Sequence, residues 1–226
     1  MKVHESLRLA RLLTRERRLW RKGVRYIAGI DEAGRGPLAG PVVAAAVIFP
    51  PTVRIPGVDD SKKLSPLKRE ELFAEIHKHA LSIGVGVVQP PTIDLLNIRE
   101  ASLLAMMEAV TQLNPSPDHL LVDGNYFQGN GVPFRTIVRG DARCFSIAAA
   151  SIIAKVTRDR IMGELHLRFP VYGFARHKGY ATRQHIEAIR EYGLSDIHRQ
   201  SFHVRELMKN GIDHHGEKSA ISWKER

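Results

Sequence analysis

The chain combines two hydrophobic patterns: short unbroken apolar runs, and longer stretches whose apolar residues recur at helical spacing. The first pattern predicts buried strands, and the second predicts helices with one packed face. Strands are predicted at 26–30, 41–49, 82–88, 119–122 and 134–138. Helices are predicted at 5–20, 66–80, 98–113, 146–162, 182–191 and 196–208, with a short helix capped by Thr92. Strands that adjoin first and then alternate with helices are typical of a mixed α/β sheet.

The beginning and end of the chain differ in composition from the part between them. Residues 1–25 contain nine Lys or Arg and two Glu, a net charge of +7. We predict a basic helical extension over residues 1–24, a main domain over residues 25–209 and a polar, loosely held tail over residues 210–226. Three roles stay open for the extension: it binds duplex DNA, packs as a lid, or is partly disordered.

The overall charge favours a polyanionic partner. The 226 residues carry a formal net charge of +10, and 43% of them are hydrophobic, as in globular proteins. Lysine and arginine that neutralise phosphates release counterions, so such an excess favours nucleic acid. We find no secretory signal and no apolar run long enough to span a membrane. A single cysteine, Cys144, excludes an internal disulfide framework and favours a reducing cytoplasm. We expect a monomer.

Four carboxylates follow apolar segments, which suggests a metal-dependent nuclease. Asp31 and Glu32 follow the first apolar run, while Asp123 and Asp141 follow later ones. Phosphodiester hydrolysis is assisted by two divalent ions about 3.5–4 Å apart, held mainly by carboxylates. Mg²⁺ and Mn²⁺ prefer oxygen ligands, so a carboxylate set without histidine suits them. Neighbouring residues of a strand point to opposite faces, so Asp31 and Glu32 can converge only if the chain turns there, and Gly34 and Gly36 allow that turn.

Each of these residues also has an ordinary structural interpretation. Asp123-Gly124 alone is typical of a hairpin turn, and Asp141 alone is typical of a helix cap. The segment 34–40 is neither a dinucleotide fingerprint nor a phosphate-binding P-loop, because its glycine spacing fits neither. A zinc site is improbable at the histidines of the C-terminal part, because no metal-binding spacing is present; they are His198, His203, His214 and His215. A non-catalytic nucleic-acid-binding module is therefore the main alternative from another class.

Several longer segments point to one family. They are Gly29–Val42 (Gly-Ile-Asp-Glu-Ala-Gly-Arg-Gly-Pro-Leu-Ala-Gly-Pro-Val), Asp60–Leu64 (Asp-Ser-Lys-Lys-Leu), Val122–Gly124, Arg139–Asp141, Ser146–Asp159 and His177–Tyr180 (His-Lys-Gly-Tyr). In sequence, order and spacing they are similar to those of bacterial ribonuclease HII, a type 2 ribonuclease H. The resemblance covers almost the whole chain, and the basic extension is its least diagnostic part.

The resemblance implies both a fold and an activity. The fold is a ribonuclease H-like α/β fold: a five-stranded mixed sheet flanked by helices, with a helical C-terminal portion. The activity is endonucleolytic cleavage of RNA in RNA–DNA hybrids. It includes incision 5′ of a single ribonucleotide in duplex DNA, which leaves 3′-hydroxyl and 5′-phosphate ends. Such an enzyme removes ribonucleotides and RNA primers from DNA and uses two Mn²⁺ or Mg²⁺ ions. Another nuclease of the same fold is the closer alternative.

The resemblance also implies roles for particular residues. The catalytic metal ligands would be Asp31, Glu32, Asp123 and Asp141. The loop of Gly34, Arg35 and Gly36 would recognise the 2′-hydroxyl, and Tyr180 would stack on the following deoxyribose. Lys62 and Lys63 are candidates for phosphate contacts, although a lysine pair in a loop is usually only solvated.

Overall fold

A computed structural model describes residues 3–129 and 131–202. Its centre is a five-stranded sheet with the order β3-β2-β1-β4-β5. The strands are β1 Ile27–Ala33, β2 Val42–Ile48, β3 Ser82–Val88, β4 His119–Asp123 and β5 Phe134–Ile137. The pairs β1–β2 and β2–β3 are antiparallel, while β1–β4 and β4–β5 are parallel. The predicted mixed α/β sheet, with β1 and β2 as an antiparallel pair, is confirmed.

Helices cover both faces of the sheet. They are α1 Val3–Leu12, α2 Thr14–Trp20, α3 Pro66–His79, α4 Pro90–Leu96, α5 Ile98–Thr111, α6 Phe145–Arg168, α7 Phe174–His177 and α8 Arg183–Tyr192. Alternation along β2 divides the core, because Ala44 and Ala46 pack with α5 while Ala45 and Val47 pack with α6. In the described part of the chain, no helix has the length and apolar character of a membrane span.

The longest helix, α6, lies directly against β1 because Gly29 has no side chain. A Cβ atom at Gly29 would collide with the backbone of Ser146 and Ile147. This close approach places the beginning of α6, and the loop before it, beside the end of β1. The glycine therefore contributes to the position of the residues that follow it in β1.

The basic extension is part of the folded core over the residues described. Leu9, Leu12 and Leu13 are buried, and they belong to the same cluster as Phe145 and Ile152 of α6. Among the three possibilities, partial disorder does not describe residues 3–23, which form α1, α2 and the turn after them. Packing against the main domain leaves exposed arginines on the outer side, so contact with a duplex stays possible.

Several predictions about local structure are wrong. Residues 196–202 form turns and one β-bridge, Ala39 with His198, where a helix over 196–208 was predicted. The rest of that predicted helix and the predicted tail 210–226 lie outside the described residues. The short helix begins at Pro90 after Gln89, earlier than a Thr92 cap implies, since proline suits the first turn of a helix. The hairpin interpretation of Asp123-Gly124 is excluded because β4 and β5 are parallel.

Candidate active site

Two of the four carboxylates are brought together by the parallel pairing of β1 and β4. Ile30 pairs with Val122, so Asp31 and Asp123 follow at neighbouring positions on strands about 4.8 Å apart. Both residues point to the α6 face, because Ala28, Ile30, Leu120 and Val122 pack in the cluster on the α5 face. Asp123 is held by the backbone N–H of Gly140, which donates to its Oδ1 at 2.5 Å.

Asp141 reaches the same place from the loop before α6. It lies in the 3₁₀ turn Gly140–Ala142, and its Oδ1 accepts a hydrogen bond from Ala142 N at 2.9 Å. Its Oδ2 is 3.5 Å from Lys62 Nζ, a side chain that is 80% exposed. Asp141 is thus one of three carboxylates on the α6 face, and Lys62 is a cation at their edge.

Glu32 lies on the opposite face of β1 from Asp31. β1 ends at Ala33, and the chain bends at Arg35 and Gly36, directly after Gly34 with its φ of 96°. Glu32 therefore points toward α5, where its Oε1 is 3.2 Å from Arg35 NH1. It borders a small pocket with Arg99, Ser102 and Asp123.

The electrostatics show that the carboxylates act on one another. Burial raises the pKa of Asp31 well above its usual value, and the charges of Glu32, Asp123 and Asp141 raise it further. Burial and the charges of Asp60 and Asp123 raise the pKa of Asp141, although Lys62 opposes this. Burial also raises the pKa of Glu32, against the effect of Arg35. The site concentrates negative charge that is unfavourable without a compensating cation.

The four carboxylate side chains do not surround a common metal position. Among the described residues, no group of three or more His, Cys, Asp or Glu side chains has the arrangement of a metal site. The donor set consists of carboxylate oxygens, the ligands that Mg²⁺ and Mn²⁺ prefer.

Asp31→Asn is expected to stabilise the folded protein at alkaline pH. A carboxyl group whose pKa is raised on folding binds more protons in the folded state, so stability falls as the pH rises through that range. Asparagine removes this loss, and its Oδ1 can still accept from Glu32 N, as that of Asp31 does at 2.7 Å. In metal-free buffer at pH 8, the unfolding midpoint should rise by a few degrees, since 1 kcal/mol corresponds to about 2–4 °C in a domain of this size.

The control for this measurement is Asp196→Asn, at an exposed position. The difference between Asp31→Asn and the unchanged protein should shrink as the pH falls toward 4. An unchanged or lower midpoint at pH 8 would show that the charge of Asp31 is not destabilising.

The glycine loop and Tyr180 border the carboxylates. A cleft of about 210 Å³ is lined by residues of both, together with Asp31, Glu32, Lys62 and Lys155. A Cβ atom at Gly36 would be 3.8 Å from the ring of Tyr180, which is 46% exposed. The structure therefore brings Gly34, Arg35, Gly36 and Tyr180 to the site.

The two lysines that follow Asp60 are placed differently. Lys62 lines the cleft, and its pKa is raised because Asp141 and Asp31 outweigh the opposing effect of burial. Lys63 instead pairs with Asp59, at 3.3 Å between Nζ and Oδ1, and does not line the cleft. Of these two lysines, Lys62 is the one that lies beside the carboxylates.

Comparison with known proteins identifies the family. The family model of ribonuclease HII matches residues 28–205. The chain belongs to the ribonuclease HII family. A ribonuclease HII from Geobacillus thermodenitrificans (strain NG80-2) is 58% identical over 198 residues, which cover 87% of this chain and 76% of the relative.

Solved structures of ribonucleases H2 and HII share the fold. The ribonuclease H2 from Pyrococcus horikoshii OT3 has a TM-score of 0.68 and 29% identity, covering 78% of this chain and 93% of that one. The ribonuclease HII in a complex with PCNA from Archaeoglobus fulgidus has a TM-score of 0.68 and 31% identity, covering 80% and 96%. The predicted ribonuclease H-like fold is confirmed. Membership of the family makes the chain a ribonuclease H that acts on RNA in RNA–DNA hybrids, which sets aside the non-catalytic module.

The extension contacts the loop that carries Asp141 and the beginning of α6. Glu16 of α2 is buried, and its Oε1 accepts hydrogen bonds from Ser146 N at 2.9 Å, Ser146 Oγ at 3.0 Å and Cys144 Sγ at 3.1 Å. A carboxyl group at this place satisfies a free N–H at the beginning of α6 and complements the helix dipole. No pattern in the sequence indicates this role, because Glu16 lies between two arginines and has the appearance of a solvated acid.

Two buried arginines near the glycine loop were also missed. Arg158 and Arg199 are 1% and 2% exposed, and both guanidinium groups donate to carbonyl oxygens of residues 34–41. No described carboxylate forms a salt bridge with either. Arginine in a predicted helix is usually exposed, so only the tertiary structure could identify these two as internal.

Proposed function

We propose that this protein is a metal-dependent endoribonuclease that cuts RNA in hybrids and incises 5′ of single ribonucleotides in duplex DNA. The products would carry 3′-hydroxyl and 5′-phosphate ends, as in removal of ribonucleotides and RNA primers from DNA. The observation that carries the proposal is that Asp31 lines a cleft with the 34–36 loop and Tyr180 and lies near enough to Asp123 and Asp141 for their charges to raise its pKa. Residues 25–209 would form the catalytic unit of a monomeric cytoplasmic enzyme.

The carboxylates would hold two divalent ions, Mg²⁺ or Mn²⁺. Asp31, Asp123 and Asp141 would supply oxygens on the α6 face, and Glu32 would supply its oxygens from the α5 face. When bound, such ions stabilise negative charge on the attacking and leaving oxygens of the phosphodiester. Burial raises the pKa values of Asp31, Glu32 and Asp141, and neighbouring carboxylates add to the effect; this supports the assignment, since a bound cation would stabilise the charged forms.

Two neighbouring groups would recognise a junction between ribose and deoxyribose. The 2′-hydroxyl is both donor and acceptor, and it distinguishes RNA from DNA locally. The backbone of Gly34, Arg35 and Gly36 can approach it closely because the loop has few side-chain atoms. Tyr180 is adjacent to Gly36, and its ring would pack on the next sugar, where a 2′-hydroxyl is absent. Lys62 would contact a phosphate at the edge of the cleft.

A cleavage assay tests this function directly. Three duplexes of one sequence are compared: all DNA, an RNA–DNA hybrid, and DNA with a single ribonucleotide. With Mg²⁺ or Mn²⁺ we expect cleavage of the second and third only, with one incision 5′ of the single ribonucleotide. Chelator should abolish both reactions. Cleavage of the all-DNA duplex, or cleavage that survives chelation, would contradict the proposal.

Tyr180→Ala is expected to lower kcat/KM on the single-ribonucleotide duplex by about 10- to 100-fold, the equivalent of the roughly 1–3 kcal/mol that aromatic stacking on nucleic acid contributes. Folding should be little affected, because the ring is 46% exposed and exposed substitutions usually change stability by less than about 0.5 kcal/mol. The matched control is Tyr192→Ala, at a ring that is 52% exposed and outside the cleft. A loss of several kcal/mol on thermal unfolding would identify Tyr180 as a core residue instead.

A further inference from the structure

The irregular segment 195–199, which we name the strap, binds the inner side of the glycine loop. Arg199 NH2 donates to Gly34 O at 2.6 Å and to Gly40 O at 2.8 Å, and NH1 donates to Arg35 O at 3.0 Å. Backbone bonds add to these contacts, because Arg199 N donates to Leu38 O and Gly40 N donates to Ile197 O, both at 2.8 Å. The Arg199 side chain and two backbone groups of the strap thus hold the loop on its inner side.

The contacts of Arg199 determine the direction of the free N–H groups of the loop. In a planar trans peptide, the C=O and the following N–H point in opposite directions. The carbonyls of Gly34 and Arg35 point inward to the guanidinium, so the N–H groups of Arg35 and Gly36 point outward. Neither N–H donates to another residue in the described part of the chain. Arg199 therefore presents two unused donors on the outer side of the loop, with a buried positive charge behind them.

The strap also holds the backbone of Tyr180 through two histidines. His198 Nδ1 accepts a hydrogen bond from Ser195 N at 2.9 Å, so in the neutral ring Nε2 carries the proton. That Nε2 lies 3.0 Å from His185 Nε2, to which it donates. His185 Nδ1 in turn donates to Tyr180 O at 2.9 Å. Burial lowers the pKa of His198 to about 3 and that of His185 to about 4, which keeps both rings neutral near pH 7.

We propose that Arg199 and His198 are positioning residues that hold the 34–36 loop and Tyr180 at a fixed separation. The strap then sets the preference for a ribose–deoxyribose junction over continuous RNA. This inference rests on the proposed function, since it assigns the two recognition groups to adjacent sugars. A junction engages both groups at once, whereas continuous RNA has no deoxyribose for Tyr180. Loosening the strap therefore weakens cleavage at a junction more than cleavage within a hybrid.

The test measures kcat and KM on a single-ribonucleotide duplex and on a hybrid of the same sequence. His198→Asn keeps an acceptor for Ser195 but cannot donate to His185, while His198→Gln retains a donor at that distance. We expect His198→Asn to lower the junction-to-hybrid ratio of kcat/KM by about 10- to 100-fold, the loss that a displacement of about 1 Å can cause. His198→Gln should keep more of the ratio. Arg199→Lys should lower both activities and also the ratio.

The control is Arg183→Met, because that side chain is 91% exposed and its partner is Glu187 on the surface. It should leave both activities unchanged. If His198→Asn does not fold, Ser195→Ala, which removes the hydroxyl 2.8 Å from His198 Nδ1, should still lower the ratio.

The possible results distinguish failure of the positioning role from failure of the proposed function. Folded strap variants whose junction-to-hybrid ratio equals that of the unchanged protein would overturn the positioning role. If the strap only supported the fold, its variants would lose the same factor of kcat/KM on both substrates, and the ratio would not change. An unchanged protein that does not cut the single-ribonucleotide duplex would instead overturn the proposed function.

Discussion

Asp123→Asn is expected to lower cleavage by at least about 10³-fold while the protein stays folded and still binds its duplex. Asp123 lies beside Asp31 at the end of the neighbouring strand, and its Oδ1 holds the Gly140 N–H at 2.5 Å. Asparagine keeps that acceptor, so the loop of Asp141 should keep its place. It removes the negative charge, and with it most of the affinity of one ligand position for a divalent ion. Electrostatic stabilisation of the transition state is usually the largest catalytic contribution, and loss of one donor group alone costs about 10²–10³-fold.

Single-turnover cleavage with saturating Mg²⁺ measures this loss. Thermal unfolding shows whether the variant stays folded, and a binding assay in chelator shows whether it still binds the duplex. Asp196→Asn makes the same chemical change at an exposed position and should retain full activity. Near-normal turnover of Asp123→Asn would show that Asp123 is not a metal ligand. An unfolded variant would show that its main role is structural.

Deletion of residues 1–24 should destabilise the whole protein. Leu9, Leu12 and Leu13 are 1%, 6% and 0% exposed and pack in the core beneath α6. Each buried leucine contributes about 1.5–3 kcal/mol, so three of them approach the total stability of about 5–15 kcal/mol of an average domain. We expect the truncated protein to aggregate or to unfold well below the midpoint of the full chain, as followed by circular dichroism during heating.

Glu16→Ala isolates one part of this effect. It leaves Ser146 N, Ser146 Oγ and Cys144 Sγ without their acceptor at the beginning of α6. A loss of about 2–4 kcal/mol is expected, since each buried donor left unsatisfied costs about 1–3 kcal/mol. Glu16→Gln keeps an acceptor oxygen and should lose less. A truncated protein with the midpoint of the full chain would contradict the packing of the extension.

This packing changes how a phosphate-binding role of the extension can be tested. Truncation removes core residues together with charges, so its effect on substrate binding has two causes. Exchange of the exposed Arg18 and Lys22 for glutamine removes charge alone. The salt dependence of duplex binding then shows whether these side chains neutralise phosphates, because each such contact contributes to the slope.

The sheet and its carboxylates could be predicted because their signals are local. The apolar runs within β1 and β4 lead into Asp31 and Asp123, as the hydrophobic pattern predicts, although β1 itself extends to Ala33. That the two strands are parallel neighbours does not follow from the pattern; only the structure shows it. The turn that Gly34 and Gly36 allow lies directly after Ala33, where the backbone pairing of β1 with β2 ends.

The residues that the sequence did not reveal depend on contacts between distant segments. Arg199 binds Gly34, which is 165 positions earlier, and Glu16 binds Ser146, which is 130 positions later. Each of them lies in a stretch where the local pattern is that of a polar helix surface. For residues 196–202, carbonyl groups of the loop and the bridge to Ala39 replace helical hydrogen bonds. No local rule anticipates that competition, so the helix predicted there was wrong.

Calorimetric titration of Mn²⁺ into the protein at two buffer ionisation enthalpies tests most directly whether the carboxylates bind cations jointly. We expect binding accompanied by proton release, because the pKa values of Asp31, Glu32 and Asp141 are raised before the ion binds. Asp31→Asn and Asp123→Asn should each weaken binding by at least about tenfold, while Asp196→Asn should not. Equal affinity in all four proteins would show that the ion binds elsewhere and that these carboxylates do not form the catalytic centre.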